Sequence, residues 1–157
     1  MEFIELYTDG GTRGNGNVNA VGGYGVYLKY IVNGELIHEL ELKGGEMGTT
    51  NNKMELQGAI QGLKAIHNKD LETHMYIDSK YVKNGIETWI NNWKRNGWKT
   101  ANKKDVKNKE LWQELDLEYN KFTNLTLHWV KGHNNNEGNE RVDTLANEYM
   151  DYLEENL

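Results

Sequence analysis

Phe3-Ile4-Glu5-Leu6-Tyr7-Thr8-Asp9-Gly10-Gly11 alternates its apolar positions as far as Thr8, then runs straight into an acid and two glycines. This is the pattern of a half-buried strand that ends in a turn, and it leaves a carboxylate at the strand's carboxyl end. Downstream, Gly14 to Gly25 is rich in Gly and Asn and reads as a loop that opens a second strand at about 24–32. Asn33-Gly34 is a strong two-residue hairpin signal, so a third strand at about 35–42 is expected antiparallel to the second. Gly44, Gly45 and Gly48 mark a further loop.

The period changes at Asn51. Leu56, Ala59, Ile60, Leu63 and Ile66 follow helical spacing, with Thr50 or Asn51 placed to cap the first turn. Met75-Tyr76-Ile77 is a short apolar run that stops at Asp78, as a buried strand would. Short helices are expected at 79–86 and 89–95, then a basic stretch around Gly97 and an amphipathic helix carrying Leu111, Trp112, Leu115, Tyr119 and Phe122. Leu125 to Val130 reads as a last strand; Val142, Leu145, Ala146, Tyr149 and Leu153 give a final helix, with Asn139 as a candidate cap. An antiparallel hairpin unit followed by strand–helix–strand units predicts an α/β mixed sheet with helices on its faces.

The 157 residues fit one domain, expected to span 1–157. No apolar run approaches the roughly 18 residues of a membrane span, and the first residues lack the basic start and apolar stretch of a secretory signal. There is no cysteine, which excludes a disulfide framework, a thiolate metal site and a cysteine nucleophile. These features lead us to expect a cytoplasmic protein without a membrane partner. The net charge of −6 looks unfavourable for a polyanionic partner, but its distribution is uneven. Lys94, Arg95, Lys99, Lys103, Lys104, Lys107 and Lys109 against Asp105 make that window +6 and leave the rest of the chain at −12. A basic patch on an acidic body suits local phosphate binding.

Four acids fall at element ends: Asp9 and Asp78 close predicted strands, Glu55 lies in the first turn of a helix, and Asp143 lies near the start of the last one. Ligands collect outside the carboxyl ends of parallel strands, and clustered carboxylates raise one another's pKa unless a cation neutralises them. Mg²⁺ takes carboxylate oxygens and keeps waters, and two such ions can stabilise attacking and leaving oxygens of a phosphoryl displacement. Each acid taken alone has a plainer role, as a turn residue or as an offset to a helix dipole.

The surroundings of these acids decide between the two. Tyr7-Thr8-Asp9-Gly10-Gly11, Thr50-Asn51-Asn52-Lys53-Met54-Glu55-Leu56, Asp78-Ser79-Lys80-Tyr81-Val82, Trp129-Val130-Lys131-Gly132-His133 and Asn139-Glu140-Arg141-Val142-Asp143 occur in this order. Together they resemble the signature blocks of type 1 ribonucleases H, from Phe3 to about Tyr149. The resemblance implies a ribonuclease H-like fold: a five-stranded mixed sheet, first three strands antiparallel, flanked by helices on both faces. It implies an endonuclease that hydrolyses the RNA strand of RNA/DNA hybrids, leaving 5′-phosphate and 3′-hydroxyl ends. Two Mg²⁺ ions with substrate, or Mn²⁺ in their place, would be held by Asp9, Glu55, Asp78 and Asp143.

By the same resemblance His133 is a catalytic proton carrier, with a reference pKa of about 6.5 that suits the task, whereas His128 is expected to be structural. Asn15, Asn51 and Asn52 match contacts to the hybrid's minor groove, where the 2′-OH distinguishes RNA from DNA. Thr50 and Asn108 match positions that hold a phosphate of the DNA strand, and Trp89, Lys94, Arg95, Trp98 and Lys99 match a basic handle that grips that strand. Trp89 and Trp93, at helical spacing, also fit a core role.

The chain departs from the pattern in places. The loop from Thr12 to Gly22 is longer and lacks the common Asn-Pro, and Lys80 replaces a Gln, which sets a charge near phosphate. Two other readings share the scaffold: a DNA nuclease or integrase-like member, and a nucleic-acid-binding module without catalysis. A domain cut from a reverse transcriptase is a third. Met1 and a terminal helix reaching Leu157 favour a stand-alone protein, expected to be monomeric.

Overall fold

A computed structural model describes residues 1–131 and 136–157. Its frame is a sheet in the order β3-β2-β1-β4-β5, with β1 Glu2–Arg13, β2 Val21–Val32, β3 Glu35–Met47, β4 Thr73–Ile77 and β5 Leu125–Trp129. β1 pairs antiparallel with β2, and β2 with β3, while β4 runs parallel to both β1 and β5. The β2–β3 connection is the expected tight hairpin, with Asn33 at φ 51° and Gly34 at φ 83°, the left-handed pair that such a turn demands.

Alternation along β1 feeds both faces. Leu6 joins a large cluster with Leu56, Ile60, Leu63 and Met75 beneath α1 (Asn51–Ala65) and α4 (Lys109–Tyr119). Tyr7 points the other way, to Tyr27 and Val142 beneath α5 (Glu137–Glu155). Helices therefore cover both faces, as the resemblance implies.

Three local expectations are corrected. Gly44 and Gly45 do not form a loop; they lie within β3, which runs on to Met47. A Cβ on Gly44 would stand 2.3 Å from the Tyr24 hydroxyl oxygen, and one on Gly45 would stand 1.9 Å from the Gly22 carbonyl oxygen, so packing explains these glycines. The two short helices are one unbroken helical stretch: α2 (Lys80–Asn84), a π-helical turn (Gly85–Trp89) and α3 (Ile90–Arg95). The turn falls where the buried Trp112 ring comes within 1.9 Å of the place a Gly85 Cβ would occupy. The cap of α5 is Asn136, whose side chain accepts from the Asn139 N–H at 3.1 Å, and Asn139 itself is buried inside the first turn.

Candidate active site

Asp9 is reached from Leu6 along the buried stretch of β1 and is itself 7% exposed. The next residue explains how β1 meets α1. A Cβ on Gly10 would lie 2.4–2.6 Å from backbone atoms of Met54 and Glu55, so only glycine lets β1, which runs on to Arg13 instead of ending at Asp9 as expected, pass against the first turn of the helix. Thr50 holds that turn, its hydroxyl accepting from the Lys53 N–H at 3.2 Å. Asp78 follows β4 directly, and the Trp129 indole of β5 donates to its carbonyl oxygen at 3.0 Å. One oxygen each from Asp9, Glu55 and Asp78 lie within 4.8 Å of one another.

Their electrostatics follow from this crowding. Burial first, then the Asp78 charge, pushes the Asp9 carboxyl up to about 7; the Gly10 N–H, donating at 2.9 Å, opposes the rise. Glu55 is driven well above its ordinary value, again by burial first and then by Asp9 and Asp78, and a hydrogen bond with Asp9 leaves the shared proton on Glu55. Oxygen-only donors that repel one another and retain a proton near neutrality fit a hard divalent cation. Asp143, in the second turn of α5, lies outside the group of three, yet its charge adds to the rise at Asp9. α5 comes close because β2 has no side chains in its way: Cβ atoms on Gly23 and Gly25 would each stand 2.3 Å from a backbone carbonyl of that helix.

Around the acids, Asn15, Asn51 and Asn52 are exposed beside the first turn of α1, and Asn15 Oδ1 accepts from the Asn51 N–H at 2.9 Å. Lys80 reaches over the Trp129 ring, its Nζ 5.2 Å from the centroid. Asn108 donates to the Tyr81 hydroxyl at 3.1 Å, as does the Trp112 indole at 3.0 Å. Sequence reasoning gave Tyr81 no part, because nothing in an aromatic helical residue signals the hydrogen bonds it accepts from another element. Lys53 and Lys109, likewise unassigned, share a groove with Asn108.

The basic protrusion is more neutralised than its composition suggests. Lys94 pairs with Asp116 at 2.8 Å, while Lys99 and Lys109 both reach Asp105, Lys109 at 3.6 Å. Arg95 donates to Asn92. Trp89, Trp93 and Trp98 are half-buried, with Trp93 6.0 Å from each of the other two rings and 5.5 Å from that of Trp112. They are anchored in the core and keep an exposed side, so both expected roles are compatible with their placement. His133 lies outside the described residues. His128 stacks on Tyr76 at 4.6 Å and contacts His74, within the sheet. Among the described residues no helix is long and apolar enough to cross a membrane.

Comparison with known proteins agrees with this geometry. The RNase H family model matches residues 1–151. Ribonuclease H of Ruthia magnifica subsp. Calyptogena magnifica is 50% identical over 153 residues, covering 98% of this chain and 99% of its own. Ribonuclease H of Francisella tularensis subsp. novicida is 53% identical over 144 residues, 92% of this chain and 88% of its own. The crystal structure of LC9-RNase H1, a type 1 RNase H with the type 2 active-site motif, aligns at a TM-score of 0.82 and 28% identity, over 94% of this chain and 72% of that one. LC11-RNase H1, solved in complex with RNA/DNA hybrid, shares the fold at a TM-score of 0.62 and 24% identity, over 96% of this chain and 98% of that one.

Proposed function

Because the chain belongs to the RNase H family, whose catalysis depends on divalent metal, we propose that it hydrolyses the RNA strand of RNA/DNA hybrids at the carboxylate cluster on β1, α1 and β4. The observation that carries the reading is the group of three acids within 4.8 Å, two of them held above their ordinary pKa by burial and mutual charge. Asp9, Glu55, Asp78 and Asp143 would hold the metal, Mg²⁺ by preference and Mn²⁺ as a substitute. When bound, it supplies charge neutralisation and activation of the attacking water.

The chain's own residues do the rest. Asp9 and Glu55 are hydrogen-bonded to each other, and would have to give up the proton between them to hold the cation. His133, which precedes α5 in the sequence, carries a proton between attacking water and leaving oxygen. Asn15, Asn51 and Asn52 face the minor groove, and Lys80 adds a cation beside the cluster for a neighbouring phosphate. Thr50 and Asn108 receive a phosphate of the DNA strand; Trp89, Lys94, Arg95, Trp98 and Lys99 hold that strand farther along. The whole chain, 1–157, acts as one catalytic domain, monomeric and cytoplasmic. End-group analysis of a cleaved hybrid tests the chemistry: 5′-phosphate and 3′-hydroxyl termini, absent with Asp9→Asn, are expected. Cyclic phosphate ends, or normal turnover by folded Asp9→Asn protein, would contradict it.

A further inference from the structure

Near the end of β1, Thr12, which the proposed chemistry does not use, joins a hydrogen-bonded arrangement with Asn15 and Asn51. Asn15 Oδ1 accepts from the backbone N–H of Asn51 at 2.9 Å. A backbone N–H can only donate, so the amide oxygen of Asn15 is turned inward and its NH₂ is the polar group left for a ligand. The Thr12 hydroxyl sits between two amide oxygens, 2.9 Å from Asn51 Oδ1 and 3.4 Å from Asn15 Oδ1. With acceptors on both sides it donates, and Asn51 too is left to present its NH₂. Thr12 is itself held firmly. As part of β1 it pairs with Gly22 of β2, and the neighbouring Arg13 guanidinium binds Asp151 at 2.8 Å, Asn147 Oδ1 at 3.0 Å, and Glu154, all on α5.

We infer that Thr12 is a positioning residue for substrate recognition: its hydroxyl fixes the Asn51 amide so that Asn51 and Asn15 together present donors only. This rests on the reading of Asn15 and Asn51 as minor-groove contacts. The consequence concerns sequence tolerance. Every base pair offers acceptors on its minor-groove edge, and only G·C adds a donor, the guanine amino group. A donor-only pair of asparagines therefore reads what all base pairs share, together with the 2′-oxygen that marks RNA. An Asn51 amide free to turn over would offer its oxygen to guanine instead.

The test is steady-state kinetics of Thr12→Val, Thr12→Ser, Asn51→Ala and the Thr12→Val/Asn51→Ala double variant on one hybrid, with cleavage mapping on a mixed-sequence hybrid. Thr12→Val is expected to raise KM about five-fold, the effect of losing one neutral hydrogen bond, with kcat little changed. Thr12→Ser restores the wild-type KM, and the double variant is no worse than Asn51→Ala alone. The Thr12→Val cleavage map shifts toward G·C pairs, a change that a general loss of stability would not produce. A wild-type KM for Thr12→Val beside an impaired Asn51→Ala overturns the positioning role and leaves Asn51 as a contact. An unimpaired Asn51→Ala overturns the contact itself, and the positioning role falls with it.

Discussion

Replacing Asp9 with Asn should stabilise the metal-free protein while abolishing its activity, and the size of the gain follows from the cluster. The Asp9 carboxyl titrates at about 7 in the folded chain against an ordinary 3.8. The folded state thus binds this proton more tightly than the unfolded state does. Below pH 3.8 both states are protonated and Asp9 carries no penalty. As pH rises from 3.8 to about 7 the unfolded chain ionises first, and stability falls. At about 1.36 kcal/mol per pH unit, the penalty reaches about 2 kcal/mol at pH 5 and about 4 kcal/mol above pH 7. Asn cannot ionise, keeps an oxygen for the Gly10 N–H, and removes the penalty. Thermal unfolding in EDTA should then place the Asp9→Asn midpoint about 10 °C above wild type at pH 8, with the gap shrinking toward pH 4. Adding Mg²⁺ should raise the wild-type midpoint more than that of the variant, because the cation favours the ionised carboxylates of the folded state. A variant no more stable than wild type at pH 8, or a gain that ignores pH, would refute the electrostatic reasoning.

Gly10→Ala should lower stability by about 3 kcal/mol or more and reduce cleavage, since its Cβ would press on the backbone of Met54 and Glu55; urea unfolding and hybrid cleavage measure both. Asp105→Asn, by releasing Lys99 and Lys109, should lower KM for hybrid about two-fold at low salt and lose that effect at high salt. Alanine at Lys94, Arg95 and Lys99 together should raise KM and flatten its salt dependence, read from KM against salt concentration. His133→Ala should lower kcat while leaving the Mg²⁺-induced rise in unfolding midpoint unchanged.

Much of the frame was legible because its signals are local. The alternation in Phe3–Thr8, the Asn33-Gly34 turn and the helical spacing from Leu56 to Ile66 each depend on neighbours in the chain. The sequence misled where a residue answers to a distant one. Gly44 and Gly45 look like loop formers, yet they are strand residues that make room for Tyr24 and for the Gly22 carbonyl. Gly85 gave no sign that the Trp112 ring fills the space of its missing side chain. Asn136 and Asn139 are equally good caps on paper, and the structure starts α5 at Glu137, with Asn136 as cap and Asn139 buried in the first turn. At the site, the acids stood out through their motifs, and Asp9, Glu55 and Asp78 indeed converge. The pairing of Lys94 with Asp116 and of Lys99 with Asp105 depends on how the protrusion folds back, so charge counting overstated the free cations. Thr12, expected in a loop and found in β1, had no motif to mark its hydrogen bond to Asn51.

The most direct test of the central claim is incubation of the purified protein with Mg²⁺ and four labelled substrates of one sequence: RNA/DNA hybrid, RNA/RNA, DNA/DNA and single-stranded RNA. EDTA and Asp9→Asn serve as controls. Cleavage confined to the RNA of the hybrid, and lost in both controls, is the predicted result. Cleavage of the DNA duplex, or binding of the hybrid without cleavage, would contradict it.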